Sequence, residues 1–287
     1  MKRPNELARE EASMQTLVDL TGAFQGIASM RIAQIKNRVL QSSNYFDEIW
    51  NIYRQLRVAN VFNFGRGEND NEPVIDKELF IIITAEGGFS GDIDLKLIRL
   101  MLEAYDEAKN DIIVVGHHGA IQLAQRGVEY KKYYKLPAKD NNINVTPVVS
   151  EVQRYRSTII YYQEYETLMS QDVKRIELVS LVKQTALNEN DNEVISDKTY
   201  IFEPNTYSVA AHLERSMMQI AISQLILSSK LAQYASRFRA MSASRDRADT
   251  ERQDLHFEYN RSKRTVKDER LKEIINGIKK SKLGSGF

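Results

Sequence analysis

The fold turns on residues 205–276, NTYSVAAHLERSMMQIAISQLILSSKLAQYASRFRAMSASRDRADTERQDLHFEYNRSKRTVKDERLKEIIN, a run of 72 residues with neither proline nor glycine. Proline costs about 3 kcal/mol inside a helix and glycine about 1, so this run is where a long helix can form. At about 1.5 Å per residue, one helix would extend for roughly 108 Å. Leu213, Met217, Ile220, Leu227, Leu231, Tyr234, Phe238 and Met241 draw an apolar stripe at helical spacing, which Leu255, Tyr259, Val266, Ile274 and Ile278 resume. Helices average about 11–12 residues, so this segment predicts a rod.

The other end of the chain has the same character. No proline lies between Pro4 and Pro73, and only Gly22 and Gly26 precede Gly65. Met14, Leu17, Val18, Thr21, Phe24, Ala28, Ile32, Ile35 and Val39 repeat at three and four residues, followed by Phe46, Ile49, Tyr53 and Leu56. Two such stripes predict an antiparallel two-helix coiled coil between residues 1–62 and 205–283, with Met14–Val39 against part of Leu213–Met241.

Residues 75–203 read differently. Leu79–Thr84 and Ile112–Val115 are short buried strands, each followed by a helical pattern, Asp92–Asn110 and His118–Gln125, which implies parallel pairing. Ser150–Met169 is expected to be a further amphipathic helix. Val173–Thr185 and Glu193–Phe202 are expected to pair as strands across Asn188–Asn192. The predicted class is α/β: a terminal coiled coil carrying an inserted Rossmann-like domain.

Composition narrows the function. The 287 residues are 42% hydrophobic, which excludes disorder as the dominant state, and 40 basic against 39 acidic side chains argue against a dedicated nucleic-acid binder. Absence of cysteine excludes a disulfide framework and points to a reducing compartment. The apolar runs are far shorter than the ~20 residues of a membrane span, and polar Met1–Glu11 gives no sign of a signal peptide; a soluble cytoplasmic chain is expected.

Motifs with catalytic meaning are scarce. Gly87-Gly88-Phe89-Ser90-Gly91 follows a strand where backbone amides can hold phosphate, but matches neither the dinucleotide fingerprint nor the P-loop; a tight structural turn is expected. Adjacent His117 and His118 would point to different helix faces and make a poor metal pair, so surface histidines are expected. Neither a catalytic site, a cofactor nor a metal is predicted. Residues 205–287 carry 16 Lys/Arg against 9 Asp/Glu, and Arg237, Arg239, Arg245 and Arg247 bracket the small-residue segment Ala240–Ser244. Such a surface fits either a solvated coiled coil or a shaft inside a protein sleeve.

Short segments in order along the chain carry a family resemblance. They are Leu20–Arg31 in the first helix, Thr84–Gly91 after the first strand, Val115–Gly119, Tyr200–Pro204, Ala235–Met241, and then Tyr259-Asn260-Arg261 with Glu273–Ile275. Together they resemble the gamma subunits, the central rotor shafts, of rotary ATP synthases, over nearly the whole chain. The Ala85–Gly91 turn and the glycines at 22 and 26 are similar to the N-type branch of that family. The resemblance implies three alpha and three beta subunits, an epsilon subunit and a membrane c-ring as partners, on the cytoplasmic face of the cell membrane. ATP chemistry would belong to those partners.

Implied contacts with the levers and catch loops of the beta subunits are Arg31, Arg237, Arg239, Arg245, Arg247, Arg261, Arg264, Asp268 and Arg270. The sequence departs from the family at Arg264, Asp268 and Arg270, where Gln, Thr and Glu are common, so the contact chemistry must differ there. The residues alone leave a second reading open, a metabolite-binding α/β domain with a dimerising coiled coil.

Overall fold

The computed structural model describes residues 2–55, 64–66, 73–136, 143–180 and 203–284. In chain order these form α1 (Pro4–Gln55), β1 (Ile75–Ile83), α2 (Ile93–Leu102), β2 (Asn110–Val115), α3 (His117–Gln125), β3 (Lys132–Tyr134), α4 (Thr146–Val152), β4 (Tyr155–Tyr165), β5 (Gln171–Glu177) and α5 (Thr206–Gly284). Helix α1 has 52 residues and α5 has 79, as the missing prolines require. The chain forms two compact units, Ala28–Phe238 and Met1–Ile27 with Arg239–Phe287.

Within Ala28–Phe238 the sheet runs β3-β2-β1-β4-β5, with β5 alone antiparallel to its neighbour. Alternation along β1 sorts its side chains to two faces. Phe80 and Ile82 pack with Leu97, Ile98 and Met101 of α2 and Leu123 of α3. Leu79, Ile81 and Ile83 pack with Val148, Val149 and Val152 of α4 and with Met217, Met218, Ala221, Ile222 and Ile226 of α5. Here α5 is apolar on two flanks because it is sandwiched: the sheet lies on one, and Ile32, Ile35 and Val39 of α1 meet Leu227 and Leu231 on another. Tyr53 donates a 2.7 Å hydrogen bond to the buried Glu214 carboxylate, which also accepts from the Gly65 amide at 2.8 Å.

Within the other unit α1 and α5 also run antiparallel. Ser262 donates to the Lys2 carbonyl, His256 pairs with Glu11, and Arg245 reaches Gln25. The register differs from expectation, since the level of Met14 falls C-terminal to Met241. Within this unit the positions Leu7, Glu11, Met14, Val18, Thr21 and Gln25 of α1, all buried or half-buried, alternate by four and three, the spacing of a heptad seam. Leu17 lies off that seam and is exposed.

One further expectation fails. Ser150–Met169 is not a helix: α4 ends at Val152 and Tyr155–Tyr165 is the long strand β4. The run Thr158-Ile159-Ile160-Tyr161-Tyr162 is β-branched and aromatic, and burial on both sheet faces erased the alternation that would have marked it as a strand. Strand β5 pairs with β4; the segment expected to pair with it, Glu193–Phe202, lies outside the described residues.

Candidate functional site

In open α/β sheets, ligands bind outside the carboxyl ends of the strands where the strand order reverses. That point lies here between β1 and β4, and the chain's own side chains fill it. Asp94, in the first turn of α2 and 1% exposed, accepts from the Gln163 amide of β4 at 2.7 Å and from the Ala85 backbone amide at 3.3 Å. Its second oxygen accepts from His118 Nδ1 at 2.7 Å. The carbonyl of Gln163 accepts from Ser229 and from Gln233, at 3.2 Å for the latter, both on α5. One turn on, Ser236 donates to the Ser90 carbonyl at 2.7 Å. Arg237 donates to the carbonyls of Gly87 and Gly88, each at 3.2 Å, and lies 5.1 Å from the Tyr234 ring.

The N-terminus of α3, the other natural anion site of such a fold, is occupied in the same way. The amide of His117 donates to Glu86, that of His118 to the Ala85 carbonyl, and that of Gly119 to Thr84 Oγ1 at 2.9 Å. Gly116 opens this corner at φ 103°, and a Cβ there would overlap the Thr84 carbonyl. The turn thus binds its own protein. His118 is more than a surface histidine: the hydrogen bond to Asp94 raises its pKa above the ordinary value, against an opposing effect of burial. Sequence reading missed Asp94, Gln163, Ser229 and Gln233, whose only signal is a polar side chain within an apolar stretch.

The nine implied contact residues lie at different places. Arg31 is half-buried on α1 and donates to Gln34, and Arg237 is committed to the glycine turn. Arg239 is half-buried. Arg245 and Arg247 are exposed, the latter bonded to Ala243 and Ser244 of its own helix. Arg261, Arg264, Asp268 and Arg270 are exposed further along α5, so the structure gathers no single cluster from the set. Among the described residues no group of side chains suited to a metal ion is found, and no helix is long and apolar enough to cross a membrane.

Known proteins place this architecture. The chain is 21% identical over 282 residues to the ATP synthase gamma chain of Fusobacterium nucleatum, covering 95% of this chain and 97% of that one. The gamma chain of Trichlorobacter lovleyi is also 21% identical, covering 94% and 96%. Among solved structures, a chain of the Euglena gracilis mitochondrial ATP synthase (OSCP/F1/c-ring) shares the fold with a TM-score of 0.59 at 16% identity, covering 93% of this chain and 97% of that one. One from the central stalk and c-ring of the Tetrahymena thermophila enzyme gives 0.57 at 15% identity, covering 78% and 98%. The family model described as ATP synthase matches residues 4–279, and on that extent of match the chain belongs to the ATP synthase family.

Proposed function

We propose that this chain is the gamma subunit of a rotary ATP synthase or ATPase: the central shaft that couples rotation of a membrane c-ring to ATP synthesis or hydrolysis on an alpha/beta hexamer. The observation that carries the reading is α5, which closes the ligand crevice of an α/β domain with its own side chains and continues as a charged helix paired with α1. Residues 1–62 and 205–283 form the shaft, and 75–203 the domain mounted on it. Its partners are three alpha and three beta subunits, epsilon and the c-ring, and it is held peripherally at the cytoplasmic face of the cell membrane. It contributes no catalytic site, and the ion moved, proton or sodium, is set by the ring.

Exposed Arg245 and Arg247 are proposed to face the beta levers together with Arg31, Arg237 and Arg239, and Arg261, Arg264, Asp268 and Arg270 the catch loops. Near the end of α5, Leu271, Ile274, Ile275 and Ile278 are each about half exposed on an otherwise charged helix, an apolar surface suited to a protein sleeve. The dimerising metabolite binder loses its motive, because the apolar stripes already meet within one chain.

Truncation after Ala248 tests the proposal. Complexes carrying the shortened subunit should lose coupling between ATP hydrolysis and ion pumping, or fail to assemble. Pumping equal to that of the full-length subunit would refute the shaft role of this segment.

A further inference from the structure

The amino ends of β1 and β2, at the sheet edge opposite the one closed by α5, border a cavity of about 310 Å³. Its positive charges are already committed. Asp111 accepts from Lys77 at 3.1 Å through one oxygen, and from Lys131 at 3.2 Å and the Tyr155 hydroxyl at 2.7 Å through the other. Lys131 also donates to Tyr155, and Lys77 to the Glu107 carbonyl, so two of the three donors on each ammonium are used within the protein. Burial would raise the Asp111 carboxyl, but the hydrogen bonds from Tyr155, Lys77 and Lys131 outweigh it and hold it below the usual range, fixing the cluster as charged.

Two of the three negative charges are not committed. Glu107 and Glu129 line the same cavity and are exposed, and their carboxylates have no hydrogen-bond or ion-pair partner among the described residues. Two lysines against three carboxylates leave a lining of net charge −1. Tyr105 and Tyr130 complete it with half-buried rings held against the α2–α3 side of the core. Paired lysines, free carboxylates and tyrosine rings are the complement of a cation with an apolar body. The volume falls at the small end of the roughly 300–1,000 Å³ of ligand pockets.

We propose that this cavity binds a small organic cation, an alkylammonium or guanidinium compound, with Glu107 and Glu129 as its counter-charges and Tyr105 and Tyr130 as its apolar wall. This site is independent of the shaft reading, because none of its residues belongs to either long helix.

Calorimetric titration of the full chain with agmatine at low ionic strength tests it. Saturable binding is expected, with a Kd on the order of 1 mM or tighter. An exposed ion pair is worth up to about 1 kcal/mol, or about fivefold in Kd, so Glu107→Gln with Glu129→Gln should weaken binding several-fold, and by up to about 25-fold. Both side chains are exposed, and an unchanged melting curve verifies the fold of the double variant. Independently of any variant, raising the salt to about 0.5 M should weaken binding of the unaltered chain. Absence of saturable agmatine binding, indifference to the glutamine changes or to salt, or tighter binding of glutarate would each overturn the proposal. So would binding of an acetylated, amidated arginine peptide without binding of agmatine, which would make the cavity a docking point for a partner chain.

Discussion

Replacing Asp94 by alanine should be among the most damaging single changes to the α/β unit. The carboxylate is 1% exposed and serves three donors, namely the Gln163 side-chain amide, the Ala85 amide and His118 Nδ1. His118 is part-exposed and finds water, so its loss is small. The other two donors are buried, and a buried donor left without a partner costs about 1–3 kcal/mol, so the alanine variant should lose about 2–6 kcal/mol. Asp94→Asn keeps an acceptor for Gln163 and Ala85 and gives up only the charge assistance toward His118, about 1 kcal/mol. Domains are stable by about 5–15 kcal/mol, so the two variants should separate clearly in urea. Hydrogen exchange during the titration should show the Ala85 amide and α2 opening first in the alanine variant. An alanine variant as stable as the parent, or an asparagine variant as damaged as the alanine one, would refute the assigned network.

Other outcomes follow from the same corner. His118 has a raised pKa in the folded chain, so its contribution is fully present below its ordinary value of about 6.5 and is lost as pH rises through the folded value. Thermal unfolding across that window should therefore show a steeper loss in the parent than in His118→Gln, and equal slopes would remove the His118–Asp94 pair from the account. Gly116→Ala forces a Cβ into the Thr84 carbonyl at φ 103° and should cost about 3 kcal/mol or more, read by urea unfolding. Arg237→Ala removes two part-exposed hydrogen bonds to the glycine turn and should cost only about 1 kcal/mol. With Arg239→Ala added, assembly should persist and the ATPase rate change modestly, while exchange at the Gly88 and Phe89 amides quickens.

Long-range order was legible where one physical rule dominates. Absence of proline and glycine over residues 205–276 has a single structural outlet, and α5 takes it from Thr206 to Gly284. The β1-α2-β2-α3 unit was legible because a glycine follows each strand within four residues and each helix has one apolar face. Strand β4 was not, because a strand buried on both faces loses its two-residue period and resembles a helix segment. The three-residue strand β3 is too short to leave a pattern. The paired core of the candidate site was illegible for another reason: Asp94, Gln163, Ser229 and Gln233 lie on three elements, and only the fold brings them together.

Those polar residues also account for how a ligand-binding architecture can hold a helix in one position. An apolar helix on an apolar sheet face is held by contacts that another rotamer set can replace, so sliding along its axis costs little in contact area. A slide of about half a turn, roughly 2.7 Å, would carry Ser229, Gln233 and Ser236 away from Gln163 and the Ser90 carbonyl. Those acceptors would then be buried without donors, at about 1–3 kcal/mol each. The polar side chains at 229, 233 and 236 thus fix the axial and angular position of α5, while the apolar neighbours supply the burial that keeps it there. A segment that transmits torque needs that first property more than the second, since an adhesive but slipping joint would dissipate the rotation it receives.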